Sequence, residues 1–262
     1  MNHWTKISIE YANQLSYLDD LFTIYPTIPE GIREMDESLQ EKISYAFNNK
    51  DNLLLVKSLI DNPIFPIKDS YIAYLRKDKT AIERNPATIN RIAGRLYDLG
   101  LGEIFKRCTE PKETNRQIGP MFRRWINSKA LGLLPISVDE FESTNDNAIL
   151  DLNDAKMQAY AKDKFNYNRD KGLDFVARFN NLYVIGEAKF ITDDGGHQHT
   201  QFDDAMEMIK DNRIQAKRIA ILDGVLYIKS RRKMHKAITS AYNSHLDIMS
   251  ALVLREYLYS LR

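Results

Sequence analysis

Cysteine is nearly absent from this sequence. One residue, Cys108, in 262 excludes an internal disulfide and suits a reducing, cytoplasmic setting. Charge of one sign is not in excess either. Lys and Arg number 37 against 36 Asp and Glu, a formal charge of +1. Bulk charge therefore points to no partner, and any nucleic-acid surface must come from local clustering. No apolar run approaches the ~18 residues of a membrane helix, so no membrane association is expected. The start, MNHWTKISIEYANQ, lacks a basic stretch followed by an apolar one, and no signal peptide is expected. Internal repeats and low-complexity tracts are missing. What remains is an ordinary globular composition, 44% hydrophobic and 28% charged, long enough for a sizeable core in one large domain or two intimate ones.

Two regions differ in character. Residues 1–135 read as mostly helical. ISIEYANQLSYLDDLF puts Ile9, Ala12, Leu15, Leu18 and Phe22 at helical spacing. Ser38 and Glu41 fit a capping box. Pro63 and Pro66 break the chain. Asn85 then Pro86 opens a helix that stops near Gly100 and Gly102, and IGPMFRRWINSKALGL is a further helical candidate. From 136 to 262 the pattern changes. An acidic connection over 137–154 leads to a short helix, DAKMQAYAKDKF. A hairpin, a glycine pair, a helix over about 198–213 and a second hairpin, RIAIL-DG-VLYIK, come next. A C-terminal helix carries Ile238, Ala241, Tyr242, His245, Ile248, Met249 and Leu252 on one stripe. The order of elements is that of an α/β or α+β fold with a helical N-terminal region, the whole forming one compact unit.

The first hairpin, GLDFVARFNNLYVIGEAK, holds two acids and a lysine in an apolar segment. Asparagine tolerates the positive φ of a tight I′ turn, so Asn180-Asn181 is its bend. Phe179 then pairs with Leu182, and counting back sets Phe175 opposite Gly186 and Asp174 opposite Glu187. Opposed residues share a face at ~4.5–5.5 Å, and Lys189, two residues beyond Glu187, shares it too. Two carboxylates so placed repel each other. A divalent cation such as Mg²⁺ removes the conflict, because it takes hard oxygen ligands from one or two carboxylates, water and phosphate. A metal so held polarises a phosphoryl oxygen and acidifies a bound water, while the amine contacts the scissile phosphate. A charged pair on a solvated sheet face is the common alternative. The register, the apolar surroundings of Glu187 and the glycine-rich helix entry that follows weigh against it.

Asp174, twelve residues, then Glu187-Ala188-Lys189 resembles the PD-(D/E)XK nuclease signature, and KGLDFVARFNNLYVIGEAKFITDDGGHQ resembles the catalytic segment of type II restriction endonucleases. The likeness is strong over about 145–205 and runs towards HinfI-like enzymes, which cut at GANTC. The resemblance implies an αβββαβ restriction-endonuclease-like core, Mg²⁺ dependence and a homodimer on double-stranded DNA, leaving 5′-phosphate ends. It makes Asp174 and Glu187 metal ligands together with the carbonyl of Ala188, and Lys189 the catalytic lysine. Leu173 departs from the pattern, which has proline there. Relatives also place an acid on an upstream helix; Asp154 and Asp163 are the candidates, and the sequence does not choose. A cognate DNA methyltransferase is expected alongside, since a host must shield its own sites.

Other residues fit this reading. Gln198, in GGHQHTQ, is a candidate supporting group beside the centre, where helix N-terminal amides suit a phosphate. Zinc at His197 and His199 lacks further nitrogen or sulfur ligands nearby. Two basic clusters are candidates for DNA contact: Arg116, Arg123 and Arg124 with Lys129, and Lys229, Arg231, Arg232 and Lys233. Arg91 and Arg95 mark a candidate recognition helix. Competing accounts are a structure-specific repair or recombination nuclease, a non-catalytic DNA-binding protein, and a retaining glycoside hydrolase built on the opposed acids.

Overall fold

In the computed structural model, which describes residues 1–26, 34–110, 118–230 and 232–262, the chain divides into two units. One comprises Met1–Thr27 and Thr114–Arg262, the other Ile28–Glu113. The compositional boundary near 135 falls inside the first unit, because the first two helices and the helix beginning at Ile118 pack with the sheet-bearing half.

The first unit begins with α1 (His3–Ala12) and α2 (Tyr17–Ile24). The single helix expected here is broken. The Asn13 side chain donates to the carbonyl of Ile9, which competes with helix continuation, and Ser16 adopts a left-handed φ of 69°. The break turns the expected stripe outward: Leu15 is 95% exposed and Leu18 72%, while Tyr17, Leu21 and Ile24 are buried.

The second unit is helical: α3 (Glu37–Asn48), α4 (Asn52–Ile60), α5 (Ile72–Lys77), α6 (Ala81–Arg84), α7 (Pro86–Leu99) and α8 (Leu101–Cys108) around their own core. Asp36, not Ser38, caps α3, accepting from the Leu39 N–H; Asp36 also accepts from the Ser38 hydroxyl. Pro86 opens α7, and Asn85 precedes it without a side-chain cap, because its amide donates to Ala81 instead. Cys108 is buried, and that burial pushes its thiol up to about 12, far from reactivity at neutral pH.

Back in the first unit, α9 (Ile118–Asn127) is followed by α10 (Val138–Ser143), β1 (Ala148–Ile149), α11 (Asp154–Phe165), β2 (Phe175–Phe179), β3 (Leu182–Ile191), α12 (Gly196–Lys210), β4 (Lys217–Gly224), α13 (Lys233–Thr239), β5 (Asp247–Met249) and α14 (Leu254–Ser260). The acidic connection is thus ordered into α10 and β1. Buried Arg178 on β2 explains why, since its guanidinium donates to the carbonyls of Phe141 and Asp146 and to the Thr144 hydroxyl. Among the described residues the sheet has five strands, in sequence order. β1, β2 and β3 run antiparallel; β3, β4 and β5 run parallel. Each parallel step needs a long crossover, which α12 and the segment holding α13 provide.

The second expected hairpin does not form. β4 runs straight through Asp223 to Gly224 and passes into a short 3-10 turn. A I′ turn needs both central residues at positive φ, and only Gly224 has it, at 100°. Asp223 instead lies fully buried, accepting from the Tyr25 hydroxyl (2.8 Å), the Ser250 hydroxyl and the Ala251 N–H (3.2 Å). The long C-terminal helix is also replaced. Ser240 and Ser250 take extended backbone and cap short 3-10 turns, and Ile248 and Met249 enter the sheet as β5.

Candidate active site

The first hairpin brings the three charged candidates together. Asn180 and Asn181 have φ of 50° and 63°, as a I′ turn requires. The ladder runs from Phe179↔Leu182 to Phe175↔Gly186. Asp174 stands one residue outside it, where β3 continues with an open edge. There its Oδ2 accepts from the Ala188 N–H and from Lys189 Nζ, both at 2.9 Å. Lys189 Nζ also lies 2.8 Å from Glu187 Oε2. The three charged groups therefore meet, joined by the amine. In extended backbone the N–H and C=O of one residue point to the same side, so the Ala188 carbonyl faces the edge that holds Asp174.

Burial separates the two acids. The Glu187 side chain is 3% exposed and that of Asp174 14%. Desolvation raises the Glu187 carboxyl above its usual range, because attraction from Lys189 is opposed by repulsion from Asp174. Burial opposes the charge of Lys189, yet two anions and two hydrogen bonds outweigh it and hold the ammonium above its ordinary value. The amine thus occupies the position of a counter-ion to both carboxylates.

The segment before β2 is set by α11. The Leu173 N–H donates to the Asp154 carbonyl at 3.3 Å. Gly172 packs so closely that a Cβ there would come within 2.8 Å of the Asp154 Cβ. Asp154 itself is ion-paired with Arg123, and Asp163 is an exposed neighbour of Lys164. Tyr167 was not singled out in the sequence. Its hydroxyl lies 3.5 Å from Glu187 Oε1, and burial and the neighbouring carboxylate keep it a phenol. The signal for it was Asn166, whose left-handed φ of 58° ends α11 and turns the chain inward. Arg169, also missed, is close enough to favour the Glu187 anion.

Gln198 is buried in the first turn of α12, its side-chain oxygen 3.4 Å from the Thr192 N–H. His197 contacts Gln201. Of the basic candidates, Arg232 pairs with Asp194 and Lys233 with Asp203, and Lys229 is exposed. Arg124 lies on α9 with Arg123. Arg116 and Arg231 lie outside the described residues. In the helical unit Arg91 and Arg95 both pair with Asp69.

Among the described residues no cluster of three or more His, Cys, Asp and Glu could hold a metal ion. A cation at the hairpin edge would therefore have two carboxylates, a backbone carbonyl and water or substrate oxygen. That all-oxygen, partly open donor set fits Mg²⁺ and not zinc. No helix of the described residues is long and apolar enough to cross a membrane.

Comparison with known proteins places the chain among the type II restriction endonucleases. The family model that matches, over residues 2–261, is that of the Tsp45I type II restriction enzyme, and the chain belongs to that family. It is accordingly a nuclease with DNA as substrate. No curated protein and no solved structure matches it. Membership selects the restriction enzyme over the repair-nuclease, non-catalytic and glycoside-hydrolase readings. It carries the Tsp45I name and not a HinfI-like one, and shows no GANTC target.

Proposed function

We propose that Asp174, Glu187 and Lys189 form the hydrolytic centre of a site-specific, Mg²⁺-dependent endonuclease of the PD-(D/E)XK type. The observation that carries this reading is the amine of Lys189, 2.9 Å from Asp174 and 2.8 Å from Glu187 on one open strand edge. The order α10, β1, β2, β3, α12, β4 supports an αβββαβ core, with α11 inserted between β1 and β2.

Asp174, Glu187 and the Ala188 carbonyl would hold Mg²⁺. Bound there, the ion supplies an acidified water and charge for a phosphoryl oxygen. Asp174 and Glu187 fix the Lys189 ammonium between them. While both carboxylates face it, the amine keeps its proton, which suits it to grip the scissile phosphate and orient the attacking water. Tyr167 and the hairpin core hold Glu187 away from bulk solvent. In-line attack then breaks the bond to the 3′-oxygen and leaves 5′-phosphate and 3′-hydroxyl ends. The two-fold symmetry of duplex DNA favours a homodimer cutting both strands. The helical unit and the arginines of α9 would contact DNA or the second copy, and a cognate methyltransferase would protect host sites.

A plasmid digest with Mg²⁺, with and without chelator, followed by end mapping tests the reading. Discrete fragments with 5′-phosphates, lost on chelation, are expected, and the mapped ends read out the target, GANTC or another. A random ladder, or cutting that ignores the chelator, refutes it.

A further inference from the structure

Beyond the hydrolytic centre, a groove of about 590 Å³ opens at the other end of the parallel strands. Lys217 pairs with Val184 and Arg218 with Ile185. Arg218 stands two residues and Lys217 three residues before Glu187 in register, roughly 7 and 10 Å down the strand at ~3.3 Å per residue. The start of β5 closes the groove beside them, with Asp247 paired to Ile219.

The lining is cationic. Lys210, Lys217 and Arg218 converge on it with His245. Among the described residues none of these three cations is ion-paired with a carboxylate, whereas neighbouring cations are: Arg213 with Asp211, Lys171 with Asp204, Lys233 with Asp203. Among the described residues Asp247 is the one acid in the lining, and it is already satisfied by the Asn2 amide (3.1 Å) and the Tyr257 hydroxyl (2.8 Å). Arg218 donates one terminal nitrogen to the Asp211 carbonyl at 2.9 Å, while its buried Nε has no partner. A buried donor without an acceptor costs stability, and three unanswered cations in a concavity call for an anion. The floor is apolar, with Ile214 and Leu246 buried beneath it, and Tyr242 stands at the rim 79% exposed.

We propose that this groove is a nucleotide site, with a phosphate on Lys210, Lys217 and Arg218 and a base against the ring of Tyr242. Unpaired cations beside an open aromatic ring are the combination that holds a nucleotide, charge taking the phosphate and the ring taking the base. The nucleotide chemistry has two sources, a free mononucleotide or one unit of a DNA strand. The site does not rest on the reading of the hydrolytic centre.

Calorimetric titration of the full chain with dTMP, and separately with inorganic phosphate, both without metal, tests it. Saturable uptake of dTMP is expected, several-fold tighter than phosphate. Lys210→Gln with Lys217→Gln, two exposed side chains, should weaken both by about tenfold. Tyr242→Ala should bring dTMP down to the affinity of phosphate and leave phosphate unchanged. Uptake of dTMP by Lys189→Ala should match the parent, which keeps this outcome separate from the fate of the hydrolytic centre. A short single strand that displaces dTMP names DNA as the source; one that leaves it bound names the free nucleotide. No saturable uptake at millimolar dTMP, equal affinity for dTMP and phosphate, or undiminished binding by the double variant overturns the proposal.

Discussion

At the residue scale, the same burial that raises the Glu187 carboxyl makes it costly to keep. Removing any one charge of the trio leaves the others misplaced. Asp174→Asn, Glu187→Gln and Lys189→Ala are each expected to lower cleavage by about 10³-fold or more, with duplex binding in a gel-shift assay kept within roughly tenfold. A variant that cuts at the parental rate loses its place in the centre. Asp223 is a second buried acid, and desolvation lifts it to about 6 despite hydrogen bonds from Ser250, Tyr25 and Ala251. Its folded value exceeds its unfolded one, so folding takes up a proton. Its contribution to stability is therefore full below about pH 4 and is lost as pH rises towards 6, an effect of roughly 3 kcal/mol. Urea unfolding of Asp223→Asn should lack that fall when compared with the parent across pH 4 to 7. An identical slope in the two proteins excludes the assignment.

At the scale of elements, the centre depends on how strands end. β2 stops one residue short of Asp174, and the open edge of β3 takes over. β4 stops at Gly224, whose φ of 100° and close approach to β3 leave no room for a side chain: a Cβ there would lie 2.1 Å from the Ile191 carbonyl oxygen. Gly224→Ala should cost about 2–4 kcal/mol through strain and displaced backbone, seen as a lowered thermal midpoint. An unchanged midpoint would show that the strand end relaxes freely. The first hairpin was legible because a two-asparagine turn and strict alternation leave one register. The second was misread because Asp-Gly is a hairpin signal only when it faces water, and here Tyr25 and Ser250 reach Asp223 from segments far away in sequence. The C-terminal stripe misled for a like reason, since Ile248 and Met249 satisfy a helical period and a short buried strand equally well.

At the scale of the whole molecule, the proposed hydrolytic centre, one per chain, would have to meet both strands of the DNA. Sedimentation with a duplex carrying the mapped site is expected to give two chains per duplex in a metal that supports binding without turnover, such as Ca²⁺. One chain per duplex, with both strands still cut, would overturn the homodimer. Mg²⁺ that binds the folded chain should also raise its thermal midpoint by mass action, and Asp174→Asn should reduce that rise. This measurement tests the metal site without relying on cleavage.

The sequence by itself determined the hairpin register and the meeting of Asp174, Glu187 and Lys189, because a tight turn and a period of two are local and leave no freedom. The tertiary structure alone decided that Asp223 is buried, that α2 buries Tyr17, Leu21 and Ile24 and leaves Leu15 and Leu18 outside, that the connector folds around Arg178, and that Lys210, Lys217 and Arg218 converge on one groove. Those features depend on partners distant along the chain, and pairings of that kind leave no periodic trace in the residues that make them.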